Sequence, residues 1–363
     1  MTDGVRRAGA RVLLVLLAVL ASGALAGPAS AHVGDGVAGS DFDGAVTAVR
    51  PDVPGVDVRV LQFGDELEVV NATDTELTVP GYSGEPYLRI GPDGVWRNAR
   101  SPATSINLDR FGRTPPPDDA DPLATPEWVR VSTEPQYTWH DHRTHWMSEG
   151  QLPPVVAADP GVAHTVLAWN VPMAHGGTPI DVEGVLTWSP PPPGWLVWPL
   201  YALLLGGVLA AGSLARTAGP LAAALVVGAL ASLWHALATP SPPVTDGTHT
   251  AAVVSALAPA LLVTVVVLAA VRAAARGRGS LTGVLAVVAG WLLLVQGLPD
   301  VDALWTANLL ATGPPLLARV SVAVLLAGGA GLVVGGALAA RRFRDREGGH
   351  GFNHLRAGHL STP

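Results

Sequence analysis

The sequence predicts an all-β antiparallel sandwich outside the membrane, followed by an all-α bundle of five transmembrane helices. Three observations predict it. Short alternating segments bounded by Gly and Pro fill residues 32–194, five long apolar runs follow residue 195, and arginines cluster after the first, third and fifth of those runs. The chain then divides into a signal peptide (1–31), an extracytoplasmic domain (32–194), a transmembrane domain (195–340) and a cytoplasmic tail (341–363).

Arg6, Arg7 and Arg11 give the start of the chain a basic character, and residues 12–20 form an apolar stretch too short to span a bilayer. Ala29-Ser30-Ala31 has the small-x-small pattern of a cleavage site. The arginine pair lacks the longer twin-arginine context, so general secretion is the route expected. Cleavage after Ala31 makes His32 the new amino terminus.

Within 32–194, Val56, Val58 and Val60 alternate with Asp57 and Arg59, the period of a half-buried strand. Further strands are expected at 66–70, 75–79, 87–90, 95–98, 127–132, 136–140, 164–170 and 180–188. Gly91-Pro92-Asp93-Gly94 reads as a hairpin turn. Amphipathic helical patterns are almost absent, so many short strands argue for an antiparallel sandwich. Two long loops rich in Pro, at 101–126 and 151–161, interrupt the strands, and the prolines at 190–193 make a stiff spacer before the membrane. The stretch with Asp35, Asp41 and Asp43 reads as a solvated acidic tail.

The apolar runs lie at 195–215, 220–238, 251–271, 280–298 and 316–340. Each approaches the roughly 20 residues that cross a hydrocarbon core as a helix, the form that satisfies every backbone amide internally. Arg216 follows the first run, Arg272, Arg276 and Arg278 the third, and Arg341, Arg342, Arg344 and Arg346 the fifth. The loops after the second and fourth carry none, and Arg319 alone lies at that face. The positive-inside rule then places the domain outside the plasma membrane and the carboxyl terminus in the cytoplasm. The runs are nearly free of charge, which disfavours a pump or ion-coupled carrier. Gly331 with Gly335, and Gly207 with Ala211, have the spacing of close helix contacts. Pro259 is a candidate kink in the third run.

The chain has no Cys, which excludes thiolate metal sites, and its Met content is too low for a Met-rich Cu(I) site. Acidic residues in 32–194 outnumber arginines by more than two to one, so nucleic acid is a poor partner and cations or a basic protein face are better ones. No nucleophile elbow, phosphate loop or HExxH helix is present, so no catalytic residue is assigned; Glu85 and Glu149 carry no motif.

The chemical clue is histidine. His140, His142 and His145 fall within eight residues between Trp139 and Trp146. If the strand continues past His140, positions two apart share a face, so His140 and His142 present two imidazoles together and His145 joins them by a turn. Imidazole suits Cu(II), Zn(II) and Ni(II). Asp141 then faces away and pairs with Arg143. The alternative is structural: the tryptophans anchor the strand and the histidines hold hydrogen bonds. His32 is the second candidate, because an amino-terminal His chelates through its α-amine and Nδ1. His164 is expected at a strand edge and His175, near Met173, on a turn. His235, Asp246, His249, Asp300 and Asp302 fall at or near the two outside loops, where they can receive a cation or neutralise Arg319.

The junction Ala31-His32-Val33 resembles the amino-terminal histidine of CopC-type and YcnI-type copper proteins. Residues 64–71 resemble the opening strand of cupredoxin-like sandwiches, without the Cys of a cupredoxin copper site. The layout as a whole resembles uncharacterised actinobacterial exported multi-pass membrane proteins with a β-rich outer domain, through residues 81–87, 100–104, 139–147 and 184–193. That resemblance implies an envelope location and no established activity. Two functions are therefore expected. One is a membrane protein whose outer domain binds or hands on copper(II) through His32, His140, His142 and His145. The other is a membrane-anchored envelope protein that binds another envelope protein or a wall component, with structural histidines and no metal.

Overall fold

The computed structural model describes residues 39–357; the signal peptide and His32 lie outside the described residues. Strand β1 (Gly39–Ser40) is short and is followed by β2 (Phe42–Arg50), β3 (Val56–Leu61), β4 (Glu66–Asn71), β5 (Leu77–Pro80), β6 (Pro86–Gly91) and β7 (Gly94–Asn98). A short helix α1 (Pro102–Ile106) opens the first long loop, before β8 (Trp128–Ser132) and β9 (Gln136–His140). Helix α2 (Pro154–Ala158) sits in the second loop, and β10 (His164–His175) and β11 (Thr178–Trp188) end the β-rich region.

These strands form two antiparallel sheets, one of seven strands in the order β2-β11-β10-β5-β6-β7-β8 and one of three in the order β3-β4-β9. Leu67, Val69 and Trp139 from the smaller sheet share one core with Leu77, Leu88, Ile90, Val171 and Val182 from the larger. The period-2 burial of β11, with Ile180, Val182, Leu186 and Trp188 inward, is what gives it a buried face. The β6–β7 hairpin forms at the expected turn, with Gly91 opposite Gly94. Gly94 has φ +105°, and a Cβ there would come within 2.2 Å of the Ser132 carbonyl oxygen.

Two expectations change. Residues 42–50 are not a solvated tail but strand β2, which pairs with β11 from Phe42–Trp188 to Arg50–Asp181. His175 ends a strand rather than sitting on a turn. The turn is Gly176-Gly177, where both residues have positive φ as a two-residue hairpin of primed type requires.

The second half contains α3 (Gly194–Ser213), α4 (Gly219–Leu237), α5 (His249–Ala275) and α6 (Gly279–Gly297), extended by a 3-10 segment (Leu298–Leu304). After β12 (Asn308–Leu309) come α7 (Pro315–Ala323), one π-helical stretch (Val324–Gly328) and α8 (Gly329–Ala357). Five helices are long and apolar enough to cross a membrane, the last two being α6 with its 3-10 extension and the run through α7 and α8. Helix α5 continues through Pro259. Close packing is achieved with glycine: a Cβ on Gly212 would lie 2.2 Å from the Gly335 carbonyl oxygen, and one on Gly331 would lie 2.8 Å from the Val208 Cβ. Gly207, by contrast, faces open space.

The β-rich region is fastened to one end of the bundle. Strand β1 pairs with β12, and Asp302 accepts the Gly39 N–H at 3.1 Å. Asp41 accepts the Ala307 N–H at 2.8 Å, and the Asn308 amide donates to the Phe42 carbonyl at 3.2 Å. In the loop after α4, the Val244 N–H donates to Glu68 at 2.5 Å, Gln136 donates to the Val244 carbonyl and Arg59 to the Pro242 carbonyl. Both arginine-free loops therefore lie on the face that carries the β-rich region.

Candidate ligand cleft at the junction

The junction encloses a cleft of about 940 Å³. Its walls are the start of β4 with the preceding turn, the loop at 108–113, the loop at 240–243 and the segment 307–310. Asp43, Asp65, Glu66, Asp109, Arg110, Arg113, His140 and Asp246 supply its charged and titratable side chains. The turn before β4 is tight: Gln62 and Phe63 have φ of +50° and +61°, and this brings Asp65 and Glu66 to the cleft side by side.

Glu66 and His140 are register partners on the antiparallel pair β4–β9, so their side chains stand opposite each other. The ring Nδ1 of His140 is 3.3 Å from the Asp65 carbonyl oxygen, and that carbonyl can only accept. With the proton on Nδ1 to satisfy that carbonyl, Nε2 keeps its lone pair and is the atom available to a ligand. Glu66 Oε2 and Gln62 Oε1 are buried and accept no hydrogen bond from the described residues. Burial raises the Glu66 pKa, His140 opposes that shift, and the carboxylates of Asp246 and Glu68 add to it. Burial likewise pushes Asp65 up to about 6, against the pull of Arg110, whose guanidinium lies 2.8 Å away. An excess of acceptors over donors is the electrostatic character of a cation site.

The other two clustered histidines do something else. Strand β9 ends at His140, and residues 142–144 form a turn, so His142 does not share a strand face with His140. The cause is Asp141. It is fully buried, accepts the Arg143 backbone N–H at 3.1 Å, pairs with the Arg143 guanidinium at 2.6 Å and accepts the Trp139 indole N–H at 2.9 Å. The Asp141–Arg143 pairing expected from sequence is present, but inside the turn.

His142 Nε2 donates to the Asp109 carbonyl at 2.9 Å, and its ring stacks on Tyr82. His145 Nε2 donates to the Arg110 carbonyl at 2.7 Å. The two rings meet edge to face with centroids 5.5 Å apart. Burial lowers the pKa of both, that of His145 to about 4, so both are neutral at neutral pH. The neutral ring of His145 has one N–H, and the shorter contact takes it. Its Nδ1 then lies beside the Asp141 carbonyl at 3.2 Å without a proton to share. Together the pair straps the 108–113 loop over the cleft by its backbone.

Elsewhere, His164 donates to the Asp159 carbonyl, His175 lies against the Thr73 hydroxyl and His249 donates to the Thr239 carbonyl. Glu85 is buried against Ser101 and Ser83, and Glu149 pairs with Arg113. Arg319 donates to the Ala303, Thr306 and Ala307 carbonyls and so caps the 3-10 segment, and its charge also acts on Asp41. Of the loop carboxylates Asp246, Asp300 and Asp302, Asp246 lines the cleft. Asp65 and Glu66 fall in the 64–71 stretch but are not among the expected ligands; their burial beside His140 distinguishes them. Among the described residues no three His, Asp or Glu side chains converge to hold a metal ion. No protein family, curated protein or solved structure matches the chain.

Proposed function

We propose that this is a plasma-membrane protein whose β-rich region lies outside the cell and captures a transition-metal cation, copper(II) by preference, in the junction cleft. The observation that carries the reading is the Glu66–His140 pair, in which a buried carboxylate oxygen without a donor faces an imidazole oriented to offer Nε2. Imidazole with carboxylate, in a chain without thiols, suits Cu(II) among the common divalent metals. Two donors are half of a copper coordination shell. His32, outside the described residues, supplies the rest in this proposal through its α-amine and Nδ1. Six residues lie between it and Gly39, a contour of about 25 Å, and β1 borders the cleft through its pairing with β12. His142 and His145 then serve the site by holding its loop. The arginine asymmetry of the loops supports the orientation.

A second reading is an envelope interaction protein without metal. It is favoured by the engagement of His142 and His145 with backbone carbonyls. Calorimetric titration of Cu(II) into the full chain, purified in detergent with His32 as a free amino terminus, separates the two. The copper reading expects one tight equivalent, weakened at least tenfold by His140→Ala, by Glu66→Gln and by a Gly-Ser extension before His32. Equal binding by all four proteins, or none by any, leaves the interaction reading.

A further inference from the structure

The end of the bundle away from the β-rich region is strongly basic. Eight arginines stand there: Arg216 after α3, Arg272, Arg276 and Arg278 around the α5–α6 turn, and Arg341, Arg342, Arg344 and Arg346 on α8. Against them the sequence sets only Asp345 and Glu347, and all of the arginines but Arg342 are exposed. They begin where the apolar runs stop, so their guanidiniums stand at the depth of lipid phosphates.

Three of these arginines gather at the end of α3. Arg342 donates to the Ser213 and Ala215 carbonyls, the second at 2.6 Å, and Arg346 donates to the Arg216 carbonyl at 3.2 Å. Both guanidiniums lie over the ring of Phe343, 4.8 and 5.8 Å from its centroid. That ring is buried against the start of α6, where a Cβ on Gly279 would come within 2.4 Å of it. Two helices therefore fix the ring, and the ring fixes the guanidiniums. The carbonyl end of a helix carries only about half a negative charge, so three arginines leave this spot positive. Arg342 also keeps a donor in reserve: its Nε is buried and meets no acceptor among the described residues.

The helix beside them is the barest of the five. Of the apolar stretch of α3, 11 % is buried inside the protein, against 67 % for the last span. Leu214, where α3 ends, is exposed as well. A bare apolar surface topped by guanidiniums matches the two parts of a phospholipid, acyl chain and phosphate. We propose that the junction of α3 and α8 binds one anionic phospholipid, with Arg216 and Arg342 on its phosphodiester, Arg346 beside them and the acyl chains along α3. A guanidinium makes two parallel hydrogen bonds to a phosphate, which fixes the headgroup as a point charge does not. An anionic headgroup is selected over a zwitterionic one, whose own cation would face the same arginines. The site lies at the opposite end of the bundle from the cleft and is independent of cation capture.

Native mass spectrometry tests this on the full chain in detergent, mixed with equal amounts of dioleoyl phosphatidylglycerol and dioleoyl phosphatidylcholine. The expected result is one retained lipid, with the anionic lipid preferred by about tenfold. In Arg216→Gln combined with Arg342→Gln the preference falls to about twofold or less. Arg341→Gln combined with Arg344→Gln removes the same charge from another face of α8, since successive positions turn by about 100°, and keeps the preference. Where the first pair does not fold, Arg216→Gln alone leaves the carbonyl contacts of Arg342 and Arg346 in place and must lower the preference by about threefold. Three outcomes overturn the proposal. No preference in the parent means no site, an equal loss in the two pairs means diffuse charge, and a preference abolished by an equal concentration of inorganic phosphate means a site for the free ion.

Discussion

The two ends of the helical bundle are finished in opposite ways. At one end the bundle closes on itself: Arg342 donates to the Ser213 and Ala215 carbonyls and Arg346 to the Arg216 carbonyl, so arginines of α8 cap the end of α3. At the other end the free backbone groups go to the β-rich region, through Asp302 with Gly39, Asp41 with Ala307 and Glu68 with Val244. One end is a terminus and the other is an interface. The interface collects carboxylates because its partners are backbone N–H groups; the adjoining cleft is lined by a different set, Asp43, Asp65, Glu66, Asp109 and Asp246.

The largest test of this contrast is Glu68→Ala. Glu68 is 1 % exposed, pairs with Arg59 and accepts from Thr138 and Val244. Removing it leaves these donors unmatched and should cost about 4 kcal/mol, seen in denaturant unfolding of the detergent-solubilised chain together with new protease cleavage at 238–248. A normal midpoint with no new cleavage would mean that the β-rich region is not fastened there.

Acid titration sharpens the comparison, because the strained titratable groups lie at the interface end. His145 keeps a folded pKa of about 4 against 6.5 for the free group. The unfolded chain therefore binds more protons in that window, and stability rises with pH by up to about 3 kcal/mol between the two values. Asp65 has the opposite sign: its folded pKa of about 6 exceeds 3.8, so its contribution falls as pH rises through that window, by a similar amount. The two nearly cancel in the parent chain. Asp65→Asn should unmask a rise of about 3 kcal/mol from about pH 4 to about pH 6.5, measured by unfolding midpoints in the presence of chelator. A flat profile in that variant would show that the His145 ring is not held neutral.

Smaller effects are expected at the closed end. Gly212→Ala places a methyl group against the Gly335 carbonyl and should cost about 2 kcal/mol by overpacking, lowering the melting temperature without altering copper affinity. Arg342→Met keeps the stem and removes two donors, for a loss of about 1 kcal/mol. A change in copper affinity from either would break the separation of the two ends.

The bundle was more legible in the sequence than the cleft. A span is a local property, and the five apolar runs coincide with the observed helices, except that α6 continues as the 3-10 segment and α8 runs on to Ala357, past the expected end at residue 340. That extension carried Asp300 out of its expected loop and into the bundle. Strand β2 was missed because Gly44, Ala45 and Thr47 carry little hydrophobic signal, and its partner β11 lies more than a hundred residues away. The histidine cluster misled for a local reason. The reading of two imidazoles on one face assumes that the strand continues, whereas the buried Asp141 turns the chain directly after His140. The Glu66–His140 pair needs two strands in register and was beyond what spacing alone can show.

The most direct measurement is electron paramagnetic resonance of the full chain with one equivalent of Cu(II). The account predicts a single copper species with imidazole nitrogen coupling, whose spectrum changes in His140→Ala and is preserved in His142→Ala. A spectrum unaffected by His140→Ala, or one abolished by His142→Ala in a folded protein, would contradict the assignment of the junction cleft as the copper site.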